Sequence, residues 1–121
     1  MPHLAHGKVC HLALPAADVE TSARFFADVF GWRVRRRSGA VTFDDAVGEV
    51  SGHFVTDRPP AAAPGLLVYL WVDDLAAAVQ RVTDAGGSIE QPPGVDPGEL
   101  TAWFCDPAGN VLGLYQEPVP R

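Results

Sequence analysis

Asp18 and Asp74 each stand at the head of a run with apolar residues at helical spacing, and Gly31 and Gly87 each stand just beyond such a run. Both pairs are 56 residues apart. A chain punctuated twice in the same way, by a helix-initiating carboxylate and a helix-ending glycine, reads as a duplicated supersecondary unit. No other feature of the sequence narrows the architecture as far.

In the first copy, Lys8 to Leu14 reads as a buried strand, with Val9, His11 and Ala13 on one side and Cys10, Leu12 and Leu14 on the other. Pro15 stops it. Val19, Ala23, Phe26 and Phe30, with Phe25 and Val29 beside them, predict an amphipathic helix over 19–30. Three short β-like runs follow, Trp32 to Arg37, Ala40 to Phe43 and Glu49 to Val55, with turns at Ser38-Gly39 and Asp44-Asp45. Thr56 to Gly65, holding Pro59, Pro60 and Pro64, reads as a stiff linker.

The second copy runs as a strand from Leu66 to Val72, a helix from Leu75 to Ala85 ended by Gly86-Gly87, and strands at Ser88 to Gln91, Leu100 to Cys105 and Asn110 to Gln116. Pro92 to Gly98 reads as a loop. Between the last two strands, Asp106 can bond its own backbone, Pro107 presets φ, and Gly109 and Asn110 are residue types that accept positive φ. Each half is therefore β-α-β-β-β, and the fold class is α+β: two βαβββ repeats forming curved sheets around a cleft. A sheet that carries its helix on one face leaves the other needing cover, and two units, or two chains contributing them, would enclose that cleft.

Composition narrows the function classes. A 121-residue chain, 47% hydrophobic and 20% charged, has the makings of one globular domain with a real core. Its net charge of −6 argues against nucleic acid as a partner, because phosphate neutralisation needs a basic face. The one basic run, Arg33 to Arg37, reads as a solvated strand edge, with a local anion site as the other reading. No leader with a charged, an apolar and a small-residue segment opens the chain, and no apolar run is long enough to span a bilayer, so no membrane partner and a cytoplasmic location are expected. Cys10 and Cys105 read as small buried hydrophobes rather than a redox pair.

The ordered set His11, Pro15, Asp18, Phe25-Phe26 to Phe30-Gly31-Trp32, Val72-Asp73-Asp74-Leu75, Ala85-Gly86-Gly87 and Phe104-Cys105-Asp106-Pro107-Ala108-Gly109-Asn110 resembles the vicinal oxygen chelate superfamily. That group holds lactoylglutathione lyase, bleomycin-resistance proteins and extradiol dioxygenases, and the chain looks most like its small bacterial glyoxalase-like members. The resemblance covers residues 8 to 117 and implies one glyoxalase-like domain over 1–121, with repeats at about 8–56 and 66–117 and a linker at 57–65. It also implies a homodimer. Metal-dependent members chelate a divalent ion with one His, Glu or Gln from each of four strands, donors that must meet at about 2.0 to 2.3 Å from one ion. Carried over, the first position is His11, its repeat mate is Leu67, and the last is Gly113; neither Leu67 nor Gly113 offers a donor. The remaining position is Gly52 or His53, and a one-residue slip there reverses the face. Glu49 and Gln116 lie a few residues off register. No resident cofactor is therefore expected, a divalent metal remaining the alternative through a non-standard site of His11 and His53.

If His11 faces the cleft, strand alternation puts Leu67, Tyr69 and Trp71 there, with Val111, Gly113 and Tyr115 on the last strand and Trp103 or Phe104 according to register. Gly113 removes a side chain where a ring can approach. Such rings suit a small hydrophobic or aromatic molecule, so Tyr69, Trp71, Trp103, Gly113 and Tyr115 are the candidate ligand-binding residues and His11 the candidate catalytic one. Two readings remain open: a small-molecule-binding module, or a glyoxalase-like lyase, isomerase or dioxygenase using His11 with or without a metal.

Overall fold

The two aspartates do cap helices. In the computed structural model, which describes residues 3–95 and 97–117, the Thr21 amide donates to Asp18 Oδ1 and the Ala77 amide to Asp74 Oδ1, both at 3.1 Å. These caps open α1 (Val19–Phe30) and α2 (Leu75–Asp84). α1 ends at Gly31 in the left-handed conformation, while α2 receives a further N-terminal acceptor, Gln116 Oε1, 2.7 Å from the Leu75 amide.

The chain divides between Pro60 and Ala61 into two compact units. The first holds β1 (His11–Pro15), α1, β2 (Arg33–Arg37), β3 (Ala40–Asp44) and β4 (Ser51–Val55); the second holds β5 (Tyr69–Trp71), α2, β6 (Ser88–Gln91), β7 (Leu100–Cys105) and β8 (Val111–Gln116). Each is βαβββ in an α+β fold. Their sheets repeat one topology, β1-β4-β3-β2 and β5-β8-β7-β6, with the first strand of each unit parallel to the last and the remaining pairs antiparallel.

Three strands start later than the sequence predicts. β1 begins at His11 rather than Lys8, because β4, its partner among the described residues, begins at Ser51. β4 in turn starts late: Asp45 Oδ1 accepts from the Glu49 amide at 2.7 Å, and the Asp45 amide donates to Val50 O at 2.8 Å, holding both residues in a turn. β5 is only three residues, Leu66 and Leu67 lying ahead of it.

The helix-side face of the first sheet is aromatic. Phe26 of α1 stacks on Trp32 at 4.4 Å, Trp32 on Phe43 at 4.6 Å, and Phe43 meets Phe54 at 5.2 Å between ring centres. Gly52, paired with both Leu12 and Phe43, lies under the Phe43 ring. In the second unit Leu75, Ala78 and Val82 of α2 are buried, as are Ala102, Phe104, Leu112 and Leu114 of β7 and β8, which α2 packs against. Phe104 is fully buried, worth about 2–3 kcal/mol relative to exposure.

The turn between β7 and β8 departs from its sequence reading in one respect. Gly109 has φ of 97°, but Asn110 does not take positive φ. Its side chain is what the turn uses: Asn110 Nδ2 donates to Asp106 Oδ2 at 2.9 Å, and Asn110 Oδ1 accepts from the Ala61 amide at 2.8 Å.

Candidate functional site

Pairing places every side chain of a sheet on one of two faces, and the faces away from the helices differ sharply between the units. In the first unit the partners across strands are Arg33, Asp44, Ser51 and His11 in one row, and Arg35, Thr42, His53 and Ala13 in the next. His53 therefore shares the face of His11, and Gly52 is the residue turned to the helix; the register left open by the sequence is decided by Leu12 pairing with Gly52. His11 Nε2 and His53 Nδ1 are 2.7 Å apart, a hydrogen bond in which one ring donates and the other accepts. His11 is exposed and His53 half-buried. Beside them Ser51 Oγ donates to Asp44 Oδ1 at 2.8 Å, and Arg35 Nη2 bonds Asp44 Oδ2. Among the described residues His11 Nδ1 and His53 Nε2 make no hydrogen bond, and they remain to bind a ligand atom.

In the second unit the open face is aromatic. Tyr69 pairs with Gly113, Gly113 with Trp103, Trp71 with Tyr115, and Tyr115 with Thr101, so all four rings and Gly113 lie on one side. Phe104 is on the other, buried against α2; of the two alternatives, Trp103 is the one on the ring face. The Tyr69 ring covers Gly113 so closely that a Cβ there would sit 2.4 Å from a ring carbon. Trp103 Nε1 donates to Tyr69 Oη at 3.2 Å, and Trp71 meets Tyr115 edge-on at 5.9 Å. Tyr69 and Trp71 are nonetheless 44% and 57% exposed, so these rings are not core filling. The neighbouring Glu117 carboxylate pushes the Tyr115 phenol above its ordinary value.

The structure thus brings the five ring-face candidates together and joins His11 to His53. It also puts Thr42, Asp44 and Ser51, which the sequence reading did not single out as site residues, beside the histidines, together with Arg35 of the basic run. Their signal was present: Val41 and Phe43 alternate with Ala40, Thr42 and Asp44, the period of a strand with one polar face. The open face of the first unit is consequently polar, and the apolar aromatic character expected of the whole cleft belongs to the second unit's face.

Comparison with known proteins agrees with this architecture. A family model described as the Glyoxalase/Bleomycin resistance protein/Dioxygenase superfamily matches residues 8–114. The chain belongs to that superfamily. A glyoxylase-like domain-containing protein of Didymella fabae is 30% identical, over 93% of this chain and 96% of its own. Relatives named CFP32 in Mycobacterium bovis and Mycobacterium tuberculosis are 28% identical over 85% of this chain, which spans only 43% of their length. Among solved structures, TnmS3, an antibiotic binding protein from Streptomyces sp. CB03234, is 27% identical with a TM-score of 0.72, covering 96% of this chain and all of its own. The fosfomycin resistance protein FosX of Listeria monocytogenes has a TM-score of 0.77 at 13% identity, over 95% of this chain and 94% of its own, and so shares the fold alone.

Superfamily members often hold a divalent metal, and the donors here can be tested against that. His11 and His53 supply two nitrogens on one face, but among the described residues no three His, Cys, Asp or Glu groups gather as a metal site. Gln116 is engaged as a helix cap, and neither Leu67 nor Gly113 has a donor to give. Two imidazoles make half of a four-strand ligand set, so the residues present do not fit the metal site of the family's usual kind. Among the described residues, no helix is long and apolar enough to cross a membrane.

Proposed function

We propose that this chain is a small-molecule-binding protein that takes a flat aromatic or hydrophobic compound on the face formed by Tyr69, Trp71, Trp103, Gly113 and Tyr115, without a resident metal and as a homodimer. The observation that carries this reading is the pair of exposed rings, Tyr69 and Trp71, over a glycine that leaves room for one of them to lie flat. Exposed rings clustered on a sheet are normally covered by a partner or a ligand. The likeness to an antibiotic binding protein supports the same class of activity.

Tryptophan fluorescence tests it. Trp32 is buried in the first unit, whereas Trp71 is exposed on the ring face. A planar aromatic probe such as 2-naphthamide is expected to quench the emission, and Trp71→Ala to weaken its binding by about 1–3 kcal/mol while unfolding stays cooperative. Leu70, half-buried on the opposite face, is the control: Leu70→Ala is expected to lower stability and leave affinity unchanged. The reverse pattern would place the ligand on the wrong side of the sheet.

A second reading rests on the His11–His53 bond. Two hydrogen-bonded imidazoles, with a second nitrogen on each ring, are groups able to accept and donate protons, which is what the alternative of a glyoxalase-like lyase, isomerase or dioxygenase requires of them. Native mass spectrometry separates the two readings in part: a dimer mass with no bound divalent ion is expected. About one zinc, nickel, iron or manganese per chain, lost on His11→Ala, would favour the enzyme.

A further inference from the structure

We infer that the open face of the first unit recognises the carboxylate or sulfonate of a small organic acid, an inference that stands on that unit alone and is separable from the ring-face reading just given.

The basic run Arg33 to Arg37 is split by strand alternation. β2 is the outer strand of its sheet, and Arg36 turns to the helix side, where it binds Glu20 of α1 through Nε and Nη2. Arg33, Arg35 and Arg37 pair with Asp44, Thr42 and Ala40 and so share the face of His11 and His53. A solvated edge would be expected to expose its charges to both sides without further arrangement. Here one arginine is placed. Arg35 bonds Asp44, a carboxylate only 7% exposed that Ser51 also holds, so its guanidinium is tethered in line with Thr42 and His53.

The charge of this face is opposite to that of the chain. Three arginines stand against one carboxylate, already neutralised by Arg35, in a protein of net charge −6. Arg33 and Arg37 are exposed and make no ion pair or side-chain hydrogen bond among the described residues. Guanidinium groups flanked by a hydroxyl and by imidazoles that can donate are the donor set for a carboxylate or sulfonate, whose oxygens accept several charge-assisted bonds at once. A neutral ligand would leave those charges to solvent and gain nothing from them.

The test uses the full chain and two probes of the same shape, 2-naphthoate and 2-naphthamide, followed by tryptophan quenching and by the backbone amide shifts of Thr42 and His53. The acid is expected to bind about tenfold or more tightly than the amide at low ionic strength, to move the Thr42 and His53 amides where the amide probe does not, and to lose its advantage in added salt. The double variant R33Q/R37Q, which touches only exposed side chains, is expected to keep the native amide spectrum and to bind both probes alike. Equal quenching by both probes with no shift at Thr42 or His53 overturns the anion inference and leaves the ring-face reading standing. Acid-specific shifts without tryptophan quenching do the opposite. Absence of both responses overturns the two together.

Discussion

Gly52→Ala is expected to destabilise the first unit by about 3 kcal/mol, the upper end of the usual cost of overpacking a core. An added Cβ would lie 2.1 Å from Phe43 Cζ and 2.6 Å from the backbone oxygen of Leu12. Neither neighbour can move at low cost. Leu12 is held in the β1–β4 pairing, and the Phe43 ring is wedged between Trp32 at 4.6 Å and Phe54 at 5.2 Å, with Trp32 itself backed by Phe26. Relief therefore requires either parting two strands or unstacking a column of four aromatic rings. Gly113→Ala is the informative comparison. The three atoms nearest its Cβ all belong to the Tyr69 ring, which is 44% exposed and can swing outward at the cost of its bond from Trp103 Nε1. It should cost less than about 1 kcal/mol of stability and instead disturb the ring face. Urea unfolding of the two variants checks the contrast; a Gly52→Ala midpoint within error of the parent would mean that Phe43 does not lie over the glycine.

Asp106→Ala should be comparably damaging in the second unit, by about 3 kcal/mol, through hydrogen bonds rather than packing. Oδ1 accepts from the Ala108 amide at 3.0 Å and the Asn110 amide at 2.8 Å, and Oδ2 from Asn110 Nδ2 at 2.9 Å. Asp106 and Asn110 are 4% and 1% exposed, so water does not readily replace the lost acceptor, and each stranded donor costs roughly 1 kcal/mol or more. Loss of Asn110's orientation also releases the Ala61 amide, and with it the segment that enters the second unit. The pH dependence has a definite sign. Burial pushes the Asp106 carboxyl above its ordinary value, while the bonds from Asn110, Ala108 and Gly109 pull it down without overcoming that. A raised native value means that the charged form is the less favoured one in the fold. The residue's contribution is thus complete below the ordinary carboxylate range and declines as the pH rises through the raised value. The gap in stability between parent and Asp106→Ala should accordingly be wider in acid than at neutral pH, and a gap that widens with rising pH would contradict it.

These two variants also separate two kinds of sequence signal. The turn at Asp106 announces itself, since Asp, Pro, Gly and Asn in that order have local reasons to be there. Gly52 does not, because the ring that demands it is 9 residues away on another strand and nothing local requires a glycine.

The same division runs through the whole molecule. The 56-residue spacing of helix caps and glycines determined by itself that the chain is two βαβββ units, and alternation along β5 and β8 grouped Tyr69, Trp71, Gly113 and Tyr115 before any pairing was known. Helix caps, turns and side-chain alternation depend on residues within a few positions of one another. Strand register does not. Only the pairing of Leu12 with Gly52 brought His53 round to His11, and only the pairing of Gly113 with Trp103 chose Trp103 over Phe104. The shortened start of β4 was decided by Asp45, and the polar lattice of Arg35, Thr42, Asp44 and Ser51 arose from three strands that no local pattern aligns. A ladder can slip by one residue at little cost in backbone hydrogen bonds, so its register is decided by which side chains fit between sheet and helix, a property of the assembled core.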